Sequence, residues 1–316
     1  MLPFCFGKMP AFGDFVRVQA TGSDVNQFDQ WLQEGIFSGK QHRAPEWDLL
    51  WRKAADHHFF YPDATSHRFI TGRIQTNRDK AGRLFPISFG IRGELQGLNH
   101  NLLPALVLAF HPAYRKVAEL MEQPFTDLGF PLVEQMVRTI PIPDHVFFSQ
   151  AQNHLKLFLD TTTQASFWFG IYGDFKDYRR MDLWHQLFNF IHFARMEKNK
   201  KLPGIVLPLS ASETVVATEV AFWLSTILRL WGAPVFPTFF WSIPKIKGAR
   251  RLLVFFDKPS PEAFLALLDN ELGLPVVYPM GYGTIVGQAI PYHTREALEN
   301  PALSLAQLIL KIPERI

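Results

Sequence analysis

An aspartate beside two histidines is the clearest candidate for metal chemistry in this sequence. Asp56, His57 and His58 are consecutive, and carboxylates and imidazoles bind the divalent metals that hydrolyse phosphoesters. Such a site needs further Asp and His ligands at the ends of neighbouring strands, and the sequence shows none in that arrangement. We expect the histidines at the end of an amphipathic helix, where cations suit the helix dipole. We therefore predict no metal, and a metal-dependent phosphoester hydrolase using these three residues is the alternative.

Two further features could supply nucleotide or nucleophile chemistry. Residues 281–287 read GYGTIVG, and glycines let backbone N–H groups approach an anion, but the spacing is neither a dinucleotide fingerprint nor a P-loop. Cys5 is the single cysteine, and no helix N-terminus or neighbouring base lowers the pKa of its thiol. No Gly-x-Ser-x-Gly elbow is present. We predict a turn at 281–287, no cofactor and no enzymatic activity.

The apolar periodicity of the first part of the chain predicts mixed helices and strands. Apolar residues at helical spacing predict an amphipathic helix over 25–36 and a second one after Pro45. Strict alternation predicts a strand over 85–91, which should pair in antiparallel fashion with 69–75 across the turn 76–82. A short hairpin before these elements, and helices over about 102–121 and 132–140, complete this part.

The second part of the chain is also predicted to contain both helices and strands. Predicted strands cover 155–159, 167–172, 204–209, 235–241 and 251–256, and predicted helices cover 184–194, 213–231 and a segment opened by Ser260 and Pro261. The proline-rich step at 141–144 is the candidate boundary, which divides the chain into domains 1–145 and 146–316. We predict a mixed α+β fold, mainly an antiparallel sheet with flanking helices, followed by a second α/β part.

Composition and charge restrict the class of protein. The 316 residues are 47% hydrophobic and 19% charged, which indicates a packed core rather than disorder. The net charge of +3 is spread along the chain, so no nucleic-acid surface is predicted. One cysteine suits a reducing compartment, and the longest apolar stretch, 215–231, contains Glu219 and Arg229. We expect a cytoplasmic protein with no signal peptide and no membrane span.

One segment, residues 7–17 with the sequence GKMPAFGDFVR, resembles the opening motif of the TagF family, accessory proteins of bacterial type VI secretion systems. Residues 28–35 (FDQWLQEG) are similar to the first helix of that family, and 79–86 (DKAGRLFP) to its turn-to-strand motif. The match therefore extends in order over the first 90 residues or so. The motif residues that we take as candidate partner-binding positions are Gly7, Lys8, Pro10, Gly13, Asp14, Phe15, Arg17, Trp31, Asp79, Gly82, Arg83 and Pro86.

The resemblance implies a function. Members of the family act after translation to restrain assembly or firing of the secretion machine, through a forkhead-associated scaffold protein and alongside a kinase and a phosphatase. The resemblance also implies a longin-like or SNARE-like N-terminal part. The expected function is therefore non-enzymatic negative regulation by protein–protein interaction. A purely structural assembly scaffold is a further alternative, and the sequence leaves the oligomeric state open.

The motif residues also have physical interpretations of their own. Gly7 and Gly13 permit positive φ and Pro10 fixes a bend, so the segment can connect two strands tightly. Asp14 is expected to accept backbone N–H bonds or to pair with Arg17 or Arg83. Gly82 suits a turn, and Pro86 suits the start of an edge strand. The charged residues of the motif either pin the loop or contact a partner directly.

Overall fold

The computed structural model describes residues 1–63, 65–196, 201–232, 235–245, 250–268, 276–281 and 290–314. Within these ranges the strands are β1 (Leu2–Gly7), β2 (Val16–Val18), β3 (Asp56–Asp63), β4 (Arg68–Gln75), β5 (Ile87–Glu94), β6 (Gly204–Leu209), β7 (Thr238–Ile243), β8 (Arg250–Phe255) and β9 (Val277–Pro279). The helices are α1 (Ser23–His42), α2 (Trp47–Lys53), α3 (Leu103–Ala109), α4 (His111–Met121), α5 (Phe130–Arg138), α6 (His145–Thr161), α7 (Gln164–Tyr172), α8 (Arg179–Met196), α9 (Val216–Trp231), α10 (Leu265–Leu268), α11 (Tyr292–Glu299) and α12 (Leu305–Lys311).

The described strands form one sheet in the order β2-β1-β5-β4-β3-β7-β8-β6-β9. All neighbours are antiparallel except β6 and β9, which are parallel. The predicted mixed α+β fold with a mainly antiparallel sheet is therefore confirmed. The predicted division at residue 145 stays a prediction, but strands from both sides of it meet in this sheet where β3 pairs with β7. The longin-like comparison also stays a prediction.

Both faces of the sheet are covered by apolar packing. Successive strand side chains point to opposite faces, so Phe59 packs on the side of α1 and α2 while Phe60 packs on the side of α3, α4 and α9. In β1, likewise, Phe4 and Phe6 pack on the side of α1 and α2, and Cys5 packs on the side of α3, α4 and α9. This double coverage explains the three consecutive buried aromatic residues at the centre of β3, Phe59 to Tyr61.

Two predicted strands are wrong, because residues 155–159 lie in α6 and residues 167–172 lie in α7. The alternating leucines and clustered aromatics favoured strands, but local capping favours helices. The Asp144 carboxylate accepts hydrogen bonds from the first-turn N–H groups of Val146 and Phe147, at 2.9 and 3.1 Å. Thr163 caps α7 in the same way, and Gly173 ends it with φ of 80°.

The predicted helix over 102–121 is two helices, α3 and α4. Pro112 stands in the first turn of α4. A proline has no N–H to donate and its ring clashes with the carbonyl one turn earlier, so a continuous helix is interrupted at this point. The break at Phe110 lets α4 pack on β4 and β5 while α3 packs on α6 and α9.

Trp31 joins α1 to the second part of the chain. The indole N–H donates to the Ser260 carbonyl at 2.9 Å, and the ring packs against Phe240 and Phe264 with centroids 5.5 and 5.8 Å away. The side chain is only 1% exposed. Trp31 is therefore buried in the core, and its side chain is not exposed to a binding partner.

We predict that Trp31→Ala lowers the free energy of unfolding by about 3–5 kcal/mol, the usual cost of emptying a large aromatic core site. The matched control is Phe37→Ala on the same helix, because the Phe37 side chain is 65% exposed. We expect that control to stay within about 0.5 kcal/mol of the wild type. Chemical denaturation measures both. Equal effects of the two changes would contradict the packing role of Trp31.

Candidate functional site

Two loops interlock at the end of the sheet where the TagF-like motifs lie. The first loop, residues 8–15, connects β1 to β2, and the second, residues 76–86, connects β4 to β5. The backbone N–H of Lys8 donates to the Pro86 carbonyl at 3.3 Å, and that of Lys80 donates to the Phe12 carbonyl at 2.9 Å. Motifs that are about 70 residues apart in sequence therefore form one structural unit, which we call the motif junction.

The carboxylate of Asp79 is the centre of the motif junction. It accepts hydrogen bonds from the Lys8 ammonium at 3.0 Å and from the Arg83 guanidinium at 2.6 Å. It also accepts from the backbone N–H groups of Ala81 and Arg83, at 3.0 and 2.8 Å. Arg83 in turn donates to the Gly13 carbonyl at 2.5 Å. One buried aspartate thus fixes the second loop and ties it to the first.

The hydrogen bonds to Asp79 decide its charge. Burial by itself raises the pKa of this carboxyl group, but the bonds from Lys8 and Arg83 outweigh burial and lower the pKa to about 2. The carboxylate therefore stays ionised at neutral pH. Lys8 is 7% exposed, and its charge is buried together with this partner, as buried charges require.

An aromatic group lies beneath the ion pairs. Phe15 stacks on Phe6 with centroids 5.7 Å apart and meets the edge of Phe85 at 4.8 Å. The Lys8 ammonium lies 5.1 Å from the Phe15 centroid, and the Arg17 guanidinium lies 4.6 Å from that of Phe6. Cations over ring faces are attracted by the ring quadrupole. The aromatic group therefore supports the same charges that the carboxylates hold.

The helix motif joins the junction through Asp29. The Arg17 guanidinium donates to the Asp29 carboxylate at 2.7 Å, which anchors β2 to α1. Of the two alternatives predicted for Asp14, the structure shows a bond from a backbone N–H group and no pairing with Arg17 or Arg83. The Asp14 carboxylate accepts from the adjacent Phe15 N–H at 2.8 Å, because both arginines are already held by more buried carboxylates.

The structure separates the predicted site residues by exposure. Phe15 and Pro10 are half-buried, Gly13, Asp14, Arg17, Gly82 and Arg83 are exposed, and Gly7, Lys8, Trp31, Asp79 and Pro86 are buried. Pro86 does not open an edge strand as predicted, since β5 begins at Ile87 and lies between β1 and β4. Gly82 does occupy a turn, with φ of 81°.

A cleft opens beside the second loop of the motif junction, with a volume of about 600 Å³. Arg52, Arg78 and Lys245 contribute cations to its lining, and Asp48 contributes a carboxylate. Lys80 and Arg83 are exposed on the adjoining turn. We call these five cationic residues, Arg52, Arg78, Lys80, Arg83 and Lys245, the basic rim.

Sequence reasoning missed a buried ion pair toward the other end of β5 from the junction, where Arg92 lies opposite Leu2. The Arg92 guanidinium donates to both carboxylate oxygens of Asp24, at 3.0 and 2.5 Å, and to the Gln19 carbonyl at 3.2 Å. It also donates to the Thr21 carbonyl. The pair fixes the entry into α1 against β5. An arginine inside an apolar strand was the available signal, since such a residue needs a buried partner.

The predicted position of Asp56, His57 and His58 at a helix end is wrong. Because α2 ends at Lys53, the three residues open β3. His57 and His58 therefore point to opposite faces of the sheet. Burial, with the charge of Arg251, lowers the pKa of His57 to about 3. Asp56 pairs with Arg73 at 2.6 Å.

Within the described residues, no group of three or more His, Cys, Asp or Glu side chains is placed to hold a metal ion. The described ranges also contain no helix with the length and apolar character that crossing a membrane requires. Of the glycine-rich segment 281–287, only Gly281 is described, and it adopts φ of 88°. The rest of that predicted turn lies outside the described residues.

Comparison with known proteins gives the class. Residues 5–129 match the family model of the TagF N-terminal domain, which is described as type VI secretion system-associated. The motif junction, with both of its loops, lies inside the matched range, so the protein is of the type VI secretion-associated class. Residues 5–129 thus carry a TagF N-terminal domain, as the motifs predicted.

The fold has a solved counterpart. The crystal structure of PA0076 from Pseudomonas aeruginosa PAO1 matches with a TM-score of 0.51 and 15% sequence identity, covering 92% of this chain and 100% of that chain. At this identity the match shows a shared fold. No curated protein sequence matches the chain.

We predict that Asp79→Asn destabilises the protein by about 3–5 kcal/mol at pH 7, because it leaves the buried Lys8 ammonium without its counter-charge. Asp14→Asn is the matched control, since that carboxylate is exposed and, among the described residues, accepts its hydrogen bond from the Phe15 N–H. We expect the control to change stability by less than about 0.5 kcal/mol. Urea denaturation compares the variants.

The same variant tests the pKa of Asp79. The folded-state pKa of about 2 lies below the unfolded value near 3.9. The ionised carboxylate therefore contributes stability that is present above pH 4 or so and is lost as the pH falls toward about 2. In the Asn variant, the free energy of unfolding should fall less as the pH is lowered from about 4 to about 2. An identical pH dependence of unfolding in the two proteins would contradict the assignment.

We predict that Gly7→Ala destabilises the protein by more than about 1 kcal/mol, because φ is 138° and an added Cβ would lie 2.1 Å from the Pro86 carbonyl oxygen. Gly13→Ala is the control within the same motif, because a Cβ there meets no atom within 4 Å. Thermal unfolding distinguishes the two. A Gly7 variant as stable as the Gly13 variant would contradict the close approach of the two loops.

Proposed function

We propose that the protein is a non-enzymatic, post-translational negative regulator of type VI secretion that acts by binding a component of the apparatus in the cytoplasm. The forkhead-associated scaffold is the first candidate partner, and a kinase and a phosphatase are candidate regulators of the same interaction. The TagF N-terminal domain over residues 5–129 supports the association with type VI secretion. The partner and the sign of the effect come from the family resemblance.

The basic rim is the observation that carries the binding proposal. Five cationic side chains border one cleft and one exposed turn at the junction of the family motifs. Clustered surface cations attract acidic partners and accelerate their association. We therefore propose that the partner presents carboxylates or phosphoryl groups to the basic rim.

The arrangement of the other polar motif residues supports binding rather than catalysis. Lys8, Asp79, Asp24 and Arg92 are held in buried ion pairs between elements of the fold. A catalytic acid or base must reach a substrate proton, whereas among the described residues these side chains are engaged with one another, with Arg83 and with the nearby backbone. In the proposal, the pair of Lys8 and Asp79 holds the basic rim in place through Arg83.

Reversing charge on the basic rim tests the proposal. We predict that Arg78→Glu combined with Lys80→Glu weakens binding to the purified forkhead-associated scaffold more than tenfold, with the free energy of unfolding unchanged because both side chains are exposed. Calorimetry measures the binding, and the same strain expressing the variant should secrete more than the wild type. The matched control reverses two exposed charges elsewhere, Arg138→Glu and Lys176→Glu.

Each outcome decides a part of the proposal. Equal loss of binding in the rim variant and in the control would show a nonspecific charge effect and would contradict the rim. A wild-type protein that binds neither the scaffold nor the baseplate proteins, together with unchanged secretion after deletion, would contradict the function. Overexpression separates the structural scaffold from the regulator, because a repressor should silence secretion and an assembly scaffold should not.

A further inference from the structure

A second cavity lies on the other side of the sheet from α1 and α2, at the junction of β3 and β7. Its volume is about 250 Å³. His58, Arg73 and Trp241 form its floor, since they are register neighbours across β4, β3 and β7. Helix α4 contributes one wall through Tyr114 and Arg115. The cavity thus joins elements from both parts of the chain.

Two guanidinium donors at this cavity, the Nε of Arg250 and the Nε of Arg73, are buried without a hydrogen-bond partner among the described residues. The Nδ1 of His58 is also buried without a partner there, and the tautomer of the ring sets whether it donates or accepts. Arg250 is the clearest of them, because its side chain is 8% exposed and only one terminal amino group is engaged, with Glu213 at 2.8 Å. A buried unpaired donor is costly, so such groups point to a ligand that completes them.

The start of α9 adds a further positive element. Val216 and Ala217, the first residues of this 16-residue helix, line the cavity. The N-cap residue Val215 makes no side-chain capping bond. A helix N-terminus carries free N–H groups and a partial positive charge, which favour an anion. Here this feature converges with the unpaired guanidinium groups rather than standing alone.

Charge supports an anion rather than a cation. Arg115 has no carboxylate within ion-pair distance among the described residues, and His111 stands beside it at the mouth. Burial, reinforced by the charges of Arg73 and His111, keeps the pKa of His58 well below its usual value. The carboxylates of the lining are those of Glu122 and Glu213, which are exposed at the rim, while Asp56 lies behind Arg73. The inner wall therefore carries the guanidinium groups of Arg73 and Arg250, and the exposed Glu213 carboxylate is paired with Arg250.

We infer that this cavity binds the phosphoryl group of a small phosphate monoester. Guanidinium groups and helix N-terminal N–H groups match the geometry of a tetrahedral oxyanion. The His58 ring lies 4.7 Å from Tyr114 and 4.9 Å from Trp241, measured between centroids. These rings give the cavity an apolar wall, against which the organic part of the ester packs.

Ligand-induced stabilisation tests the inference. At constant ionic strength, inorganic phosphate and phenyl phosphate should each raise the Tm of the wild-type protein by several degrees relative to chloride, because binding to the folded state stabilises it. Phenyl phosphate should act at lower concentration if an ester is the ligand. Equal action of the two would identify the free anion as the ligand and would overturn the monoester assignment.

Variants locate the site. Arg250→Gln and Arg115→Gln should each weaken the apparent affinity for phosphate by about tenfold or more, the effect of losing one charge-assisted hydrogen bond. Arg138→Gln on the exposed end of α5 is the matched control and should bind like the wild type. Because Arg115 is exposed, its variant stays informative even if the Arg250 variant fails to fold.

A direct readout completes the experiment. Nitrogen NMR of labelled histidine should show a shift of the His58 Nδ1 signal on addition of phenyl phosphate. Absence of any Tm change with both anions, or unchanged affinity in the Arg115 variant together with an unshifted His58 signal, would overturn the inference.

Discussion

The antiparallel pairing of β3 with β7 is the constraint on which the rest of the structure depends. Its register, from Asp56 opposite Ile243 to Phe60 opposite Phe239, joins five strands of the N-terminal part to four of the C-terminal part in one sheet. Because the ladder is central, apolar side chains are buried on both of its faces. Contacts of Trp31 with Phe240 and Ser260 reinforce the same connection from α1.

Around this ladder, polar residues divide into two groups with different roles. Lys8, Asp79, Asp24 and Arg92 are buried and mutually paired, so they specify how loops and strands meet. Buried pairs of this kind add little net stability over apolar packing, but breaking one is costly. Of the basic rim, Arg83 shares this structural role through Asp79, whereas Arg78 and Lys80 are exposed on the loop surface. A family motif in this protein therefore combines an architectural interior with a surface that is available for recognition.

The basic rim and the proposed phosphoryl site share one carboxylate. Asp56 pairs with Arg73, which lines the cavity, and lies 3.8 Å from the ammonium of Lys245, which belongs to the basic rim. Although the residue types of Asp56, His57 and His58 suggested metal ligands, Asp56 forms ion pairs and His58 lines the cavity. In the folded protein the strand sends His58 to the cavity and His57 to the opposite face.

The sequence by itself determined those helices and strands that periodicity within a short segment marks. It also determined the resemblance to the TagF N-terminal domain. Helical spacing found α1 and α8, strict alternation found β5, and three ordered motifs predicted the TagF N-terminal domain. Periodicity alone mistook α6 and α7 for strands, because their apolar faces are broad and the deciding signals were the caps at Asp144 and Thr163. Only the tertiary structure decided which charges meet. The pairing of Lys8 with Asp79 spans 71 positions and that of Arg92 with Asp24 spans 68. Such partners are set by strand order and register, which local periodicity does not encode.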